Sequence, residues 1–137
     1  MTLTRREFLK LSGTAVALLS ISEKSTADVV SIPVLMYHDV SHLTREPETV
    51  PPPLFAAQME WLYGAGYRTV SFDELTSLDA ESARRAVILT FDDGYASFMD
   101  AAGPLLSEYG FKAAINIVGE HVGGFVSGND PRLSWDE

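Results

Sequence analysis

The chain has 137 residues, which is the length of a single domain. Hydrophobic residues make up 46% of it, enough for a buried core, and this composition excludes an intrinsically disordered chain. The formal net charge of −9 argues against nucleic acid as a partner, and the absence of cysteine excludes disulfides and thiolate chemistry.

The first 27 residues have the pattern of an export signal rather than of a folded segment. A basic start precedes an apolar run over residues 11–21, which is too short to span about 30 Å of hydrocarbon. Arg5 and Arg6 resemble the twin-arginine export motif, and small residues predict cleavage after Ala27. We therefore expect export by the twin-arginine machinery to the periplasm, the cell surface or the medium. An uncleaved amphipathic anchor is the alternative.

Strand and helix patterns alternate through the rest of the chain. Four apolar runs have the composition of strands: residues 31–38, 67–72, 85–91 and 112–119. Three segments between them have helical patterns: residues 54–66, 72–78 and 95–110. Phe55, Met59 and Leu62 form the apolar face of the first helix, and Pro104 is expected to break or kink the third. The alternation predicts parallel strands and an α/β fold, and the long irregular segment 41–53 predicts a lid or binding loop.

Two aspartates, Asp92 and Asp93, directly follow the strand predicted over residues 85–91, and Gly94 follows them. Ligands of parallel α/β folds bind at the carboxyl ends of the strands. Two consecutive carboxylates can share one site only if the backbone turns there, and Gly94 permits such a turn. Because adjacent negative charges repel, we expect a divalent cation: one carboxylate binds it, and the other acts as a base in hydrolysis.

A structural explanation of the two aspartates is the main alternative. Asp93 would then cap the following helix, and Asp92 would be solvated. A dehalogenase-type phosphatase is a further alternative, because that class also places an aspartate after a strand. Its two aspartates are separated by one residue, however, whereas Asp92 and Asp93 are adjacent.

The segment ILTFDDGYASF, residues 88–98, resembles the first motif of the polysaccharide deacetylases, the NodB-homology group of carbohydrate esterases (family 4). PVLMYHDV, residues 33–40, is similar to the first strand of the exported branch, which includes poly-N-acetylglucosamine deacetylases. The resemblance extends over nearly all of residues 28–137, which we interpret as a partial NodB-homology domain without its C-terminal part. It implies the N-terminal part of a distorted (β/α) barrel with the site at its carboxyl face.

The resemblance also implies a reaction and a role for each aspartate. Asp92 matches the family's general base and Asp93 its metal ligand, for zinc or, in some members, cobalt or nickel. The implied substrate is an N-acetylated polysaccharide such as poly-N-acetylglucosamine, chitin or peptidoglycan, from which acetyl groups are hydrolysed. His38 ends the first strand and is expected to line the site. A carbohydrate-binding module without catalysis is the alternative on the same fold.

The sequence departs from the family downstream of FDDG. The family completes its metal site with two histidines separated by three residues, and these, like the later motifs with the general acid, do not occur before Glu137. His38 and His42 have this spacing, but they follow a strand and precede the aspartates, so we do not expect them to be the missing pair. His121 is expected to lie in a loop.

The length and the end of the sequence predict a fragment. A parallel barrel takes about 250 residues, and Ser134 and Glu137 have the spacing of a capping box that would begin a further helix. A catalytic zinc takes about three protein ligands, of which Asp93 supplies one. We therefore expect this chain alone to bind zinc weakly and to release no acetate.

Overall fold

The structure is a computed structural model that describes residues 30–42, 48–126 and 130–137, with only the backbone of Val126. The export signal predicted over residues 1–27 lies outside the described part. Within that part, no helix combines the length and the apolar character needed to cross a membrane.

A parallel sheet built around β5 (Ala86–Asp92) forms the centre of the fold. Strands β1 (Val34–Tyr37) and β4 (Arg68–Thr69) flank β5, and β6 (Ala114–Asn116) pairs with its last three residues. Six of the seven residues of β5 are buried, as expected for a strand covered on both faces. All four predicted strands form, although the second is only two residues long, and the predicted α/β fold is confirmed.

Two further pairs of short strands lie outside this sheet. Strand β2 (Asp39–Val40) pairs in parallel with β3 (Thr49–Val50), so residues 49–50 of segment 41–53 lie beside the strand that precedes the segment. Strand β7 (Phe125–Val126) pairs in antiparallel orientation with β8 (Asp130–Pro131). The middle of the predicted lid lies outside the described residues, and its role stays a prediction.

Helix α1 (Pro52–Gly64) packs against the sheet. Proline suits its first turn, where a backbone N–H has no partner within the helix, and Gly66 with a φ of 75° follows its end. Its buried residues include the three predicted from spacing: Phe55, Met59 and Leu62. The ring of Phe55 contacts those of Tyr37 in β1 and Phe91 in β5, so this face anchors the helix to the central strands.

The segment predicted as the second helix forms a 3-10 helix, Phe72–Ser77, rather than an α-helix. Its start is a capping box in which the backbone N–H and the hydroxyl of Ser71 each donate to Glu74 Oε2 at 2.8 Å. These bonds, and that from Lys112 Nζ at 2.9 Å, lower the pKa of Glu74 to about 2. A short helix that the sequence did not predict, α2 (Ala80–Ala83), precedes β5.

The helix predicted over residues 95–110 is irregular around Pro104. A π-helical turn, Phe98–Ala102, leads into α3 (Gly103–Glu108), and Pro104 lies in the first turn of α3. Proline has no N–H for the hydrogen bond that an uninterrupted helix needs, so the predicted break is confirmed. Gly110, with a φ of 65°, follows the end of α3.

The core lies between the sheet and helices α1 and α3. Its buried members come from both layers: Leu35, Tyr37, Val40, Phe55, Met59, Leu62, Val87, Leu89, Phe91, Ala102 and Leu106. A smaller cluster contains Val70, the residue after β4, and Ala86 and Ile88 of β5. Val34 and Met36 alternate with the core residues of β1 and are 48% and 41% exposed. The sheet is therefore closely covered on its helix side and partly open on the other.

Candidate active site

The carboxyl edge of the sheet is polar where β5 ends. Asp92 is the last residue of β5 and pairs in register with Asn116 of β6. Asn116 Nδ2 donates a hydrogen bond of 2.7 Å to Asp92 Oδ1. On β1, the pairing of Tyr37 with Phe91 brings the next residue, His38, to the same edge as Asp92. The expected placement of His38 beside the aspartates is therefore consistent with the register of the strands.

The backbone turns sharply at Asp93. Its φ is 68° and that of Gly94 is 63°, so both residues lie in the left-handed region. Aspartate is among the few side chains that tolerate this region. A Cβ at Gly94 would meet Ile117 at 3.7 Å, an ordinary contact, so the positive φ rather than lack of space favours glycine. The turn predicted at Gly94 is thus formed by two consecutive residues, and we call Asp93 and Gly94 the aspartate turn.

The helix cap that the structural explanation assigns to Asp93 does not form. Ser97, not Asp93, occupies the N-cap position of the following helical segment, and no side chain caps that segment by a hydrogen bond. Asp92 is partly exposed, as this explanation expects, and it also accepts a hydrogen bond from Asn116. Both carboxylates therefore lie at the sheet edge without serving as helix caps.

Strand β8 and the residues after it contact the aspartate turn. The backbone N–H of Leu133 donates to the carbonyl of Gly94 at 2.8 Å, and that of Ala96 donates to the carbonyl of Pro131 at 3.0 Å. These two bonds attach a segment about 40 residues further along the chain to the end of β5.

Tyr95 follows the aspartate turn directly, and several charged groups lie near it. Burial raises the pKa of Tyr95, the guanidinium of Arg132 lowers it, and the carboxylates of Asp93 and Asp39 raise it further, with a net upward shift. Arg132 is only 6% exposed, and its Cζ lies 3.5 Å from the centroid of the Tyr95 ring. A buried cation therefore lies beside the acidic edge, which the sequence analysis did not predict.

Asp39 is a buried carboxylate beside His38 that the sequence analysis also missed. Its Oδ1 accepts from Ser97 Oγ at 2.6 Å, and its Oδ2 accepts from Ser41 Oγ at 2.5 Å and Thr49 Oγ1 at 3.2 Å. Asp39 thus links the end of β1 to the segment that leaves the aspartate turn. Ser97 is 58 residues away in sequence, so no local spacing indicates this contact.

A metal site at this edge would need several ligand side chains close together. A carboxylate at the end of a buried strand fits one position of a divalent-metal site, which Asp93 could fill. Within the described ranges, however, no three His, Asp or Glu side chains form a group that could hold a metal ion. His42 is exposed. His121 is the last residue of the 3-10 helix Gly119–His121 rather than part of an irregular loop as predicted, and its Nε2 lies 3.6 Å from Glu120 Oε1.

The parallel sheet and its acidic carboxyl edge define an α/β protein whose two aspartates lie where folds of this class bind ligands. Residues 79–132 match the sequence pattern of the polysaccharide deacetylase family. The protein YxkH of Bacillus subtilis, named as a polysaccharide deacetylase, is 36% identical over 101 residues. That alignment covers 72% of this chain and 36% of YxkH, so the chain spans about a third of the length of this relative.

Two solved structures have the same fold over most of the chain. IcaB from Ammonifex degensii is 28% identical with a TM-score of 0.66, over 77% of this chain and 45% of that one. The Streptococcus pyogenes deacetylase PplD, solved in complex with acetate, is 32% identical with a TM-score of 0.59, over 75% and 48%. The chain belongs to the polysaccharide deacetylase family, and its fold is the N-terminal part of the family's distorted (β/α) barrel. The predicted family and fold are both confirmed.

Proposed function

We propose that the chain carries part of the active site of a metal-dependent hydrolase that removes N-acetyl groups from a polysaccharide. The observation that carries this proposal is the left-handed turn at Asp93, which sets two adjacent carboxylates at the carboxyl edge of the central strand. The turn lies inside the family match over residues 79–132. Acetate, which is bound in the PplD structure, is the product that hydrolysis of an N-acetyl group releases.

Asp92 is proposed as the general base. The hydrogen bond from Asn116 to Oδ1 fixes the carboxylate, and the other oxygen then accepts a proton from the attacking water. The water oxygen forms a bond to the acetyl carbon, and the carbon–nitrogen bond breaks. The leaving amine takes a proton from a general acid, a role that we assign to none of the described residues.

Asp93 is proposed as one ligand of a divalent metal, zinc in the first place and cobalt or nickel as alternatives. When bound, such a metal polarises the amide carbonyl and lowers the pKa of water. A catalytic zinc takes about three protein ligands, so the remaining ligands would come from outside the described residues. His38 is proposed to line the substrate site at the same edge. With one ligand in place, we expect weak zinc binding and no acetate release from this chain alone.

A carbohydrate-binding module without catalysis is the second candidate, and the incomplete ligand set among the described residues favours it. Acetate release from poly-N-acetylglucosamine, chitin and peptidoglycan, measured with and without a chelator on a protein with a complete metal site, separates the two. Release that the chelator abolishes supports the hydrolase. Binding of a polymer without any release supports the module.

We also propose that the protein is exported by the twin-arginine machinery to the periplasm, the cell surface or the medium. Changing both Arg5 and Arg6 to Lys should hold the protein in the cytoplasm, because the pathway recognises the arginine pair. Cell fractionation followed by immunoblotting measures the exported fraction. Changing Lys24, which lies outside the motif, to Arg is the control. Export of the Arg5→Lys/Arg6→Lys variant at the normal rate would show that the route is wrong.

A further inference from the structure

We propose that Arg132 is a positioning residue that holds the aspartate turn through the ring of Tyr95. We call residues 130–133 the latch. The proposal rests on the proposed function only in treating Asp92 and Asp93 as site residues, and its physical content is that the turn loosens when Arg132 is removed.

The latch lies between the aspartate turn and a second loop. Towards the turn, Leu133 donates to the Gly94 carbonyl at 2.8 Å, and Tyr95 and Arg132 form an isolated antiparallel bridge. Towards the other loop, the backbone N–H of Arg132 donates to the carbonyl of Gly124 at 3.0 Å. The backbone of the latch is therefore held on both sides, and its side chains have fixed positions relative to the turn.

The buried charge of the Arg132 side chain is stabilised mainly by the ring of Tyr95. The side chain is 94% buried, since only 6% of it is exposed, and its Nη1 makes one long hydrogen bond, 3.3 Å, to the carbonyl of Asp130. Its Nε is buried without a hydrogen-bond partner among the described residues. A buried cation with few hydrogen-bond partners, as Arg132 has within the described residues, is unfavourable unless another group compensates it. The face of the Tyr95 ring, 3.5 Å from Cζ, provides that compensation as a cation–π contact.

The conformation of the aspartate turn also needs contacts from other parts of the chain. Aspartate tolerates a φ of 68° better than most residues, but this conformation still costs free energy that contacts around Asp93 must offset. Tyr95 lies two residues after Asp93, and it forms the isolated antiparallel bridge with Arg132. Removal of the Arg132 side chain takes away the cation–π contact that fixes the Tyr95 ring.

Amide hydrogen exchange of the full chain, followed by NMR without metal or substrate, tests this proposal. The N–H groups of Ala96 and Leu133 report opening of the latch, and that of Ile88, bonded to the Pro33 carbonyl at 2.9 Å, reports the central sheet. We expect Arg132→Met to speed exchange at Ala96 and Leu133 by roughly 2- to 30-fold relative to Ile88. Arg132→Lys should recover part of the protection, because it keeps the charge.

Two further comparisons keep the test decisive even if Arg132→Met folds poorly. Tyr95→Phe removes the hydroxyl but keeps the ring, and should keep most of the protection, whereas Tyr95→Leu should lose it. Arg85→Met is the matched control, since Arg85 lies 5.7 Å from the ring of Tyr67 and precedes the opposite end of β5. It should leave the two latch amides unchanged.

Three results would overturn the proposal. Exchange at Ala96 and Leu133 in Arg132→Met could equal that of the wild type. Exchange could instead rise by the same factor at Ile88 as at Ala96 and Leu133. Arg132 would then stabilise the whole fold rather than the aspartate turn. Equal protection in Tyr95→Phe and Tyr95→Leu would exclude the ring as the contact. None of these results depends on acetate release, so failure of the latch and failure of the proposed reaction are distinguishable.

Discussion

Replacing Asp92 with Asn is expected to lower the rate of acetate release by about 10²- to 10⁴-fold, the usual contribution of a general base. The amide oxygen of the new side chain can still accept the hydrogen bond that Asn116 donates to Asp92, so the local geometry is retained. It cannot accept the proton from water. The loss should therefore appear in kcat. It is measured as acetate release from the polymer that is hydrolysed fastest, in a protein with a complete metal site.

Asp100→Asn is the matched control for this experiment, because Asp100 is an exposed carboxylate in the π-helical turn after the site. It should leave the rate unchanged. An Asp92→Asn protein that keeps most of the wild-type rate would show that another group takes the proton, and the assigned role of Asp92 would be wrong.

Replacing Phe55 with Ala is expected to destabilise the fold by about 3–5 kcal/mol, the range for truncating a buried aromatic residue. Phe55 is 1% exposed, and its ring centroid lies 5.1 Å from that of Tyr37 and 5.9 Å from that of Phe91. The truncation leaves a cavity where α1 meets the two strands that carry the site. Urea unfolding followed by circular dichroism measures the change in the free energy of unfolding.

Phe125→Ala is the control, since Phe125 is 66% exposed and exposed positions usually change stability by no more than about 0.5 kcal/mol. Phe55→Leu retains most of the apolar volume and should fall between the two, which keeps the comparison usable if Phe55→Ala does not fold. Equal stabilities of the Phe55→Ala and Phe125→Ala proteins would mean that the core does not lie between α1 and the sheet.

The parts of the fold that follow local patterns could be predicted from the sequence. The buried face of α1 follows from apolar residues at helical spacing, because one side of the helix packs on the sheet. The strand β5 follows from a continuous apolar run, since both of its faces are covered. The break at Pro104 follows from the missing N–H of proline. In each case the signal and the structure involve the same few residues.

The parts that depend on distant contacts could not be predicted in this way. The sequence indicated a turn at Gly94, but neither the left-handed backbone of Asp93 nor the hydrogen bond from Leu133 to the Gly94 carbonyl. Asn116 reaches Asp92 only because β6 pairs with the end of β5. Arg132 would be read as an ordinary surface charge, and only the fold shows that it is buried against Tyr95.

The division of roles between the two aspartates is tested most directly by zinc titration calorimetry of the full chain and three variants. We expect weak binding in the wild type, unchanged in Asp92→Asn and His38→Ala and lost in Asp93→Asn, because Asp93 is the ligand and Asp92 the base. Equal loss of binding in Asp92→Asn and Asp93→Asn would contradict this assignment. Sub-micromolar binding that disappears in His38→Ala would contradict it too, and would identify His38 and His42 as the metal-binding pair.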